Sequence, residues 1–205
     1  MQRNRFALLI VLPLALRAFG GDEPAPKKPE AEAAAEAKTP VPDFTLRGAD
    51  GKEYKLSEFK GKILVLEWTN HGCPYVKKHY DKGHMQKLQQ KCAGKGVVWI
   101  QICSSAKGKQ GHMEAEEWKK LNEEKGVKAL TLLDPDGKVG RLYGAKVTPH
   151  LWVIDKEFVK AYEGAIDDNR DPRADPAESK NYVSLAVDAL LEGKKPEVAS
   201  TVPYG

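Results

Sequence analysis

Uninterrupted apolar stretches along the chain predict three strands. The two longest are Lys62–Trp68 (KILVLEW) and Gly96–Cys103 (GVVWIQIC). Apolar runs without polar alternation are typical of strands that are covered on both faces of a sheet. The shorter run Leu130–Leu133 ends at the turn sequence DPDG and predicts a third strand.

Short apolar segments on either side of turn sequences predict two antiparallel hairpins. In the first hairpin, Phe44–Leu46 and Tyr54–Leu56 flank the turn sequence ADGK. In the second, Leu151–Asp155 and Val159–Tyr162 flank the dipeptide KE. Segments of this length and composition, joined by turn residues, are typical of hairpin strands.

Helical patterns occupy the segments between these strands. They predict helices at Cys73–Lys91, Glu114–Glu124, Val139–Tyr143 and Ser179–Leu191. The order strand–helix–strand with long crossovers, followed by a hairpin and a closing helix, predicts an α/β domain. Its central mixed sheet is expected to carry helices on both faces, with functional residues beyond the carboxyl ends of the parallel strands.

The amino-terminal residues have the pattern of an export signal. Residues 1–20 contain the basic residues Arg3 and Arg5, the apolar stretch Phe6–Leu16 and a small-residue cleavage pattern at Ala18–Gly20. The sequence therefore predicts a signal peptide and an exported protein, periplasmic or extracellular. The alternative is an uncleaved membrane anchor, although the apolar stretch is short for a transmembrane span.

The composition changes after this segment. Residues 21–42 are rich in Pro, Ala, Glu and Lys and have no aromatic side chain. They are predicted to form a disordered linker, because they cannot bury enough apolar surface to repay ordering. The folded domain is predicted at 43–197, followed by a C-terminal tail at 198–205. A domain of this size buries about 70% of its extended-chain surface and does not require a disulfide.

Charge and cysteine content narrow the function classes. The net charge is +4, from 33 basic and 29 acidic residues that are spread through the chain. Without a basic stripe that carries aromatic side chains, nucleic acid is not an expected partner. Three cysteines in an exported protein is an odd number, so at least one thiol is free, reactive or paired outside the chain.

Cys73 has the setting of a reactive thiol. It follows the first long apolar strand and begins a predicted helix with the sequence CPYV. The free N–H groups and the positive dipole end of a helix start favour a thiolate, and Lys77 and Lys78 add positive potential. Pro74 suits the first helical position because it has no N–H to leave unpaired. The alternative is a buried structural cysteine.

Two motifs together resemble a known superfamily. They are the Cys-Pro-Tyr sequence after a strand and Val147-Thr148-Pro149 before the strand LWVID. From about Val41 to Leu191, the chain is similar to the thioredoxin-like redoxins, which include thioredoxins, exported thiol–disulfide oxidoreductases and peroxiredoxin-like AhpC/TSA proteins. The resemblance implies a thioredoxin-like α/β fold with an amino-terminal β-hairpin extension. It implies no organic cofactor and no metal.

The resemblance also assigns roles to individual residues. Cys73 matches the nucleophilic cysteine of the thioredoxin motif, and Pro149 matches the cis-proline that faces it. Thr148 would then offer its backbone to an extended substrate. Glu67 falls where thioredoxins keep a buried acid that helps proton transfer, with Trp68 at the adjoining aromatic position. The residues expected to contact the substrate are Trp68, Pro74, Tyr75, Thr148 and Pro149.

The sequence departs from both motifs of the superfamily. Val76 replaces the second, resolving cysteine of the thioredoxin motif, so a dithiol cycle within this motif is not possible. Leu66 and Asn70 occupy the proline and threonine positions of the peroxiredoxin signature, and Pro149 lies near where its arginine would fall. What remains is similar to a single-cysteine, peroxiredoxin-like subgroup with an Asn-His-Cys-Pro-Tyr-Val-like motif, here interrupted by Gly72.

Cys103 is the candidate resolving cysteine within the chain. It ends the strand that is expected to lie beside the strand before Cys73, and adjacent strands are about 4.8 Å apart. A disulfide requires Cα atoms within about 7 Å, which a loop movement is expected to allow. The alternative is an external thiol reductant. Cys92, at a helix end, is expected to be a packing residue.

Three further features have both a functional and a structural interpretation. His71, just before the nucleophile, is a candidate general base or a solvent-facing loop residue. A metal site of His71, Cys73 and His79 is disfavoured, because the helix start places Cys73 and His79 on different faces. The oxygen-rich segment Asp167–Asp171 is a candidate calcium loop, but it lacks the regular ligand spacing, which favours a solvated loop.

These features together predict an exported thiol–disulfide oxidoreductase in which Cys73 attacks a disulfide or a hydroperoxide. The expected partners are protein or small-molecule disulfides, hydroperoxides and an external thiol reductant, with membrane contact only if the signal segment is uncleaved. One alternative is a thiol-dependent peroxidase of the peroxiredoxin type. The other is a non-catalytic thioredoxin-fold module that binds an extended peptide at the Thr148-Pro149 edge.

Overall fold

The computed structural model describes residues 39–205, so the predicted signal peptide and all but the end of the predicted linker lie outside the described residues. The strands are β1 (Thr45–Gly48), β2 (Glu53–Lys55), β3 (Leu64–Trp68), β4 (Val98–Cys103), β5 (Leu130–Leu133), β6 (His150–Ile154) and β7 (Lys160–Gly164). The α-helices are α1 (Pro74–Tyr80), α2 (His84–Gly94), α3 (Ala115–Lys125), α4 (Lys138–Leu142) and α5 (Tyr182–Leu191). Within residues 39–205, none of the helices is long and apolar enough to cross a bilayer.

The strands form one mixed, seven-stranded sheet in the order β2-β1-β5-β4-β3-β6-β7. The central strands β3, β4 and β5 are parallel to one another, with Leu66 opposite Ile100 and Ile102 opposite Leu132. The β1–β2 and β6–β7 pairs are antiparallel, which confirms both predicted hairpins. The predicted α/β fold with a mixed central sheet is therefore confirmed.

Apolar side chains on the two faces of the sheet form two separate cores. On β3, Leu64, Leu66 and Trp68 point into one core, while Val65 points into the other. Every residue of β3 is buried, as the uninterrupted apolar run predicts. Burying a side chain such as Leu or Val contributes roughly 2 kcal/mol, so the central strands hold the loops at their carboxyl ends firmly in place.

The single long helix predicted for Cys73–Lys91 was wrong, because two helices replace it. α1 ends at Tyr80, and α2 begins at His84 after Gly83, whose φ of 74° lies in the left-handed region. A left-handed residue cannot continue a right-handed helix, and glycine adopts this conformation without a steric penalty. The side-chain amide of Gln86 donates a hydrogen bond to the Tyr80 carbonyl at 2.9 Å and so satisfies the end of α1.

The fold also extends beyond the predicted end of the domain near Glu197. Ser200 forms a parallel β-bridge with Glu163 at the edge of β7. Val198 packs against the core that contains α5, and the Tyr204 side chain is buried in the same core. Residues 198–205, predicted to be a tail, are thus part of the packed structure.

Candidate active site

Cys73 lies in the loop that joins the carboxyl end of β3 to the start of α1. It is the N-cap residue of α1, and Pro74 occupies the first helical turn. The Cys73 backbone N–H donates to the Asn70 carbonyl at 2.9 Å, and the Cys73 carbonyl accepts from the Lys77 N–H at 3.0 Å. The loop and the helix therefore fix the backbone of Cys73 from both sides.

The Cys73 side chain faces the segment before β6. Its Sγ donates a hydrogen bond to the Thr148 carbonyl at 3.0 Å. The Thr148–Pro149 peptide bond is cis. Because β3 and β6 are antiparallel neighbours, with Trp68 opposite His150, the end of β3 and the start of β6 meet at the same edge of the sheet. The fold thus brings together three of the predicted site residues, although Cys73 is only 7% exposed.

Asn70 braces the loop that carries Cys73. Its side-chain oxygen accepts the Gly72 N–H at 2.8 Å, and its amide nitrogen donates to the Gln110 carbonyl at 3.3 Å. Gly111 packs so closely that a Cβ there would lie 2.4 Å from the Asn70 side-chain oxygen. The sequence identified Asn70 only as a departure from the peroxiredoxin threonine. Its contacts show a structural role in the loop: because an amide both accepts and donates hydrogen bonds, Asn70 can hold the Cys73 loop and the Gln110 segment together.

The Gly111 contact leads to the first testable prediction. Gly111 and Gly108 both have positive φ, at 85° and 76°, but only Gly111 has a neighbour within 4 Å of a new Cβ. Gly108→Ala is expected to cost about 1–2 kcal/mol from the backbone alone. Gly111→Ala is expected to cost at least about 1 kcal/mol more and to change the alkylation rate of Cys73, since Asn70 must move. Urea unfolding and timed iodoacetamide labelling measure both effects; equal behaviour of the two variants would contradict the bracing role.

Glu67 is fully buried on β3, on the opposite face from Trp68. Both of its carboxylate oxygens lie 2.9 Å from the Tyr80 hydroxyl, and the Trp99 indole N–H donates to one of them at 2.8 Å. Burial raises the pKa of Glu67 to about 7, which outweighs the opposite effect of these donors. A carboxyl group with this pKa can hold or release a proton near neutral pH. Its role in proton transfer with Cys73 stays a prediction.

Tyr80 is a site residue that the sequence analysis missed. Its hydroxyl lies 3.0 Å from the side-chain oxygen of Gln101 and accepts from the Gln89 amide at 3.0 Å. Burial and the neighbouring Glu67 raise the pKa of Tyr80. The residue connects the end of α1 to the buried acid. In the sequence, nothing distinguishes it from an aromatic core residue, because its partners come from other elements.

The two other cysteines are buried in different surroundings from Cys73. The Cys103 thiol donates to the Gly111 carbonyl at 3.4 Å, and the side chain packs with Ala49 and Trp118. Burial raises the pKa of Cys103, and it raises the pKa of Cys92 to about 11. The two thiols therefore donate to different carbonyl groups, Cys103 to that of Gly111 and Cys73 to that of Thr148. Resolution of Cys73 by Cys103 stays a prediction.

His71 lies against the side of α3. Its ring meets the Trp118 ring edge-on, with centroids 5.6 Å apart. Its Nδ1 is buried without a hydrogen-bond partner in the described part of the chain. Burial, reinforced by the charge of Lys77, lowers the pKa of His71, which favours the neutral ring. The predicted general-base role of His71 also stays a prediction.

Two cavities include residues of the loop that carries Cys73. The first, of about 380 Å³, is lined by Thr148, which accepts the hydrogen bond from Cys73, and is named the Thr148 cleft. Its walls are formed by Trp68, Thr69, Asn70, Ser104, Ser105, Gly137, Gly140, Arg141, Ala145, Lys146, Val147 and Thr148. The second, of about 240 Å³, lies between α1 and α3 and contains His71, Tyr80 and Trp118. Of the two, only the Thr148 cleft includes the residue that contacts the sulfur.

A buried ion pair lies next to the site, between α1 and the segment after β7. Lys78 Nζ lies 3.2 Å from Asp167 Oδ2, and both side chains are almost completely buried. The Tyr204 hydroxyl donates to the same carboxylate. The Lys78 ammonium also donates to the Asn169 carbonyl at 2.5 Å. In the described residues no group of three or more His, Cys, Asp or Glu side chains is placed to hold a metal ion, and Asp167 of the candidate calcium loop is paired with Lys78.

The fold and the Cys73–Pro149 arrangement define a thioredoxin-like redoxin. Residues 37–162 match the model of the AhpC/TSA family, and the chain belongs to this family. No curated protein matches the chain.

Solved structures are similar to the chain over most of the described residues. A hypothetical protein from Sinorhizobium meliloti 1021 and an uncharacterized conserved protein from Geobacillus kaustophilus are each 26% identical, with a TM-score of 0.70. The similarity covers 82% of this chain in both cases, and 90% and 87% of the respective structures. A protein from Chlorobium tepidum described as a thiol:disulfide interchange protein DsbE is 25% identical, with a TM-score of 0.51, over 62% of this chain and 82% of its own.

Proposed function

We propose that this protein is an exported thiol–disulfide oxidoreductase in which Cys73 is the nucleophile. The observation that carries the proposal is the hydrogen bond from Cys73 Sγ to the Thr148 carbonyl, beside the cis peptide bond to Pro149. Cys73 is the N-cap residue of α1, so its sulfur lies where the loop after β3, the start of α1 and the segment before β6 meet. The similarity to the DsbE-like structure and the export pattern of residues 1–20 support the activity and the location.

The proposed reaction consists of two exchange steps. The Cys73 thiolate attacks one sulfur of the substrate disulfide, forms a mixed disulfide and releases the other sulfur as a thiolate. A second thiolate then attacks the substrate-derived sulfur, forms a new disulfide with it and releases the Cys73 thiolate. We infer that an external thiol provides this second thiolate. Val76 occupies the position of the resolving cysteine in the thioredoxin motif, and burial raises the pKa of Cys103.

Peroxide reduction is the second candidate function, and the AhpC/TSA family membership favours it. In the first step the Cys73 thiolate would attack one peroxide oxygen, break the O–O bond, form a sulfenic acid and release the other oxygen as an alcohol or water. Leu66 and Asn70 replace the proline and threonine of the peroxidase signature, which favours disulfide exchange.

Single cysteine replacements test the proposed function. Cys73→Ser is expected to abolish disulfide reduction in the presence of an added thiol, while Cys92→Ser, the matched control, is expected to retain it. Cys103→Ser is expected to retain turnover with an external thiol. Hydroperoxide consumption is measured in parallel, and activity there alone would favour the peroxidase. Wild-type protein that neither reduces disulfides nor consumes hydroperoxide would favour a non-catalytic binding module.

Thiol labelling provides a further prediction that does not depend on turnover. A thiol with a pKa of about 11, as for Cys92, is deprotonated to about one part in ten thousand at pH 7, against a few per cent for an ordinary cysteine. Cys92 is therefore expected to react with iodoacetamide at least about 100-fold more slowly than a free model thiol. Peptide mass spectrometry of a labelling time course measures the rate at each cysteine. Rapid labelling of Cys92 in the folded protein would contradict its buried setting.

A further inference from the structure

Residues 199–205, named the strap, cross the end of the sheet from β7 towards the Cys73 site. Thr201 fixes the middle of the strap: its N–H donates to the Glu163 carbonyl at 3.0 Å. The Thr201 hydroxyl accepts the Ala165 N–H at 2.9 Å and lies 2.6 Å from the Tyr162 hydroxyl. These bonds attach the middle of the strap to the end of β7.

Tyr204 anchors the end of the strap beside α1. Its side chain is buried, its hydroxyl donates to Asp167, and its ring lies 5.6 Å from the ring of Tyr75. The ammonium group of Lys78 lies 5.4 Å from the centre of the same ring. The strap is thus attached to the helix that begins with Cys73.

Gly205 then packs directly on the backbone of Thr148. A Cβ on Gly205 would lie 2.5 Å from the Thr148 carbonyl oxygen and 2.7 Å from the Thr148 nitrogen. The same carbonyl oxygen accepts the hydrogen bond from Cys73 Sγ. The strap and the sulfur therefore contact the same peptide group.

This contact has a consequence for substrate access. An extended peptide that adds to a strand edge needs the backbone N–H and C=O groups of that edge free. With Gly205 against both groups of Thr148, the edge is covered. Thr148 also lines the Thr148 cleft, whose volume of about 380 Å³ is in the range of small-molecule sites.

We propose that the strap covers the Thr148 edge and restricts Cys73 to small-molecule disulfides that enter through the Thr148 cleft. The inference rests on the proposed function and narrows its substrate class. Cys73 takes one half of the small disulfide as a mixed disulfide, and the other half leaves as a thiolate. A low-molecular-weight thiolate then attacks the substrate-derived sulfur, forms a disulfide with it and releases the Cys73 thiolate. A second equivalent of the same thiol exchanges with that disulfide and frees the second half of the substrate, so the two electrons come from two thiols that end as one disulfide.

Size-graded reagents test the proposal in a chain that carries Cys92→Ser and Cys103→Ser. Iodoacetamide is the small probe, and an extended ten-residue peptide with an activated 2-pyridyl disulfide is the large one. Intact-mass spectrometry follows the modification of Cys73. Gly205→Leu displaces the end of the strap through its clash with Thr148. Val202→Ala is the matched control, since Val202 is 68% exposed in the same segment. Deletion of residues 203–205 is the second strap variant.

Displacement of the strap is expected to accelerate the modification of Cys73 by the peptide but not by iodoacetamide. Gly205→Leu and the deletion should raise the rate with the peptide at least about ten-fold, a difference of about 1.4 kcal/mol, while the rate with iodoacetamide changes less than about two-fold. Val202→Ala should change neither rate. Equal acceleration with both probes, or no acceleration with the peptide, would overturn the proposal. If size selectivity is found but the wild-type protein shows no disulfide turnover with an added thiol, the size restriction by the strap stands, while the proposed function and the disulfide substrate class both fail.

Discussion

Replacement of Asp167 by asparagine is expected to lower the free energy of unfolding by about 3–5 kcal/mol. The carboxylate is the only anionic group within 4 Å of the Lys78 ammonium in the described part of the chain, and neither side chain contacts solvent appreciably. Asparagine has nearly the same shape, so Tyr204 retains an oxygen acceptor. The Lys78 charge, however, remains buried with only the Asn169 carbonyl and other neutral groups near it.

The expected loss is a penalty for an unpaired charge and does not measure the strength of the pair. A buried pair recovers little net energy, because both charges lose their hydration on folding. The double variant Lys78→Met, Asp167→Asn is therefore expected to be more stable than Asp167→Asn by at least about 1 kcal/mol. Urea unfolding measures the free energy of unfolding of the wild type, of Asp167→Asn and of the double variant.

Asp168→Asn is the matched control for this prediction. Asp168 is exposed, and its side chain accepts the Lys180 N–H at 3.0 Å, a bond that asparagine can also make. Its replacement should change stability by less than about 0.5 kcal/mol. A loss below about 1 kcal/mol for Asp167→Asn would mean that water reaches the Lys78 ammonium after the replacement. Because Tyr204 shares this carboxylate, Asp167→Asn should also loosen the strap.

The strands were predictable because they are covered on both faces. The apolar run Leu130–Leu133 coincides with β5. The run that ends at Trp68 contains β3, and the run that ends at Cys103 contains β4. A central strand is mostly apolar on both faces, so its sequence indicates it even though β3 and β4 each include a buried polar residue, Glu67 and Gln101. The break between α1 and α2 was not predictable in this way. Gly83 is compatible with a helix at modest cost, and only the tertiary contacts decide its conformation.

Part of the site was predictable because its residues belong to two local motifs. Cys73 begins a helix after a strand, and Pro149 precedes another strand; the sheet then brings them together. The strap and the Lys78–Asp167–Tyr204 cluster carried no such signal. Their contacts join residues far apart in the chain, and a segment with few apolar residues does not reveal where it packs. Lys78 was interpreted only as a source of positive potential for Cys73, whereas the structure pairs it with Asp167.

The second prediction with a large effect concerns the pH dependence of stability and the buried acid Glu67. Burial raises its pKa from an ordinary value of 4.5 to about 7 in the folded state. Between these values the folded chain holds a proton that the unfolded chain has released. The contribution of Glu67 to stability is therefore fully present below pH 4.5 and is lost as the pH rises through 7. At about 1.4 kcal/mol per pH unit, the loss amounts to roughly 3 kcal/mol.

His79 and His150 act in the opposite direction. Burial lowers the pKa of each from 6.5 to about 4, so the stability that depends on their neutral forms is present above pH 6.5 and is lost as the pH falls through 4. The free energy of unfolding of the wild-type protein therefore depends on pH through groups with opposite effects, Glu67 on one side and the two histidines on the other. Comparison with Glu67→Gln separates them, because glutamine keeps the volume of the side chain and removes the titration.

We expect the free energy of unfolding of the wild type, minus that of Glu67→Gln, to fall by about 3 kcal/mol between pH 4.5 and pH 7.5. The wild type is therefore destabilised relative to Glu67→Gln at the higher pH. Urea unfolding at half-unit pH steps measures this difference. Glu124→Gln, a change at an exposed helical position, is the control and should give a difference that does not depend on pH. Parallel profiles for wild type and Glu67→Gln would show that Glu67 is ionised in the folded protein throughout the range. In that case the Tyr80 and Trp99 donors outweigh burial, and Glu67 cannot exchange protons with the Cys73 site near neutral pH.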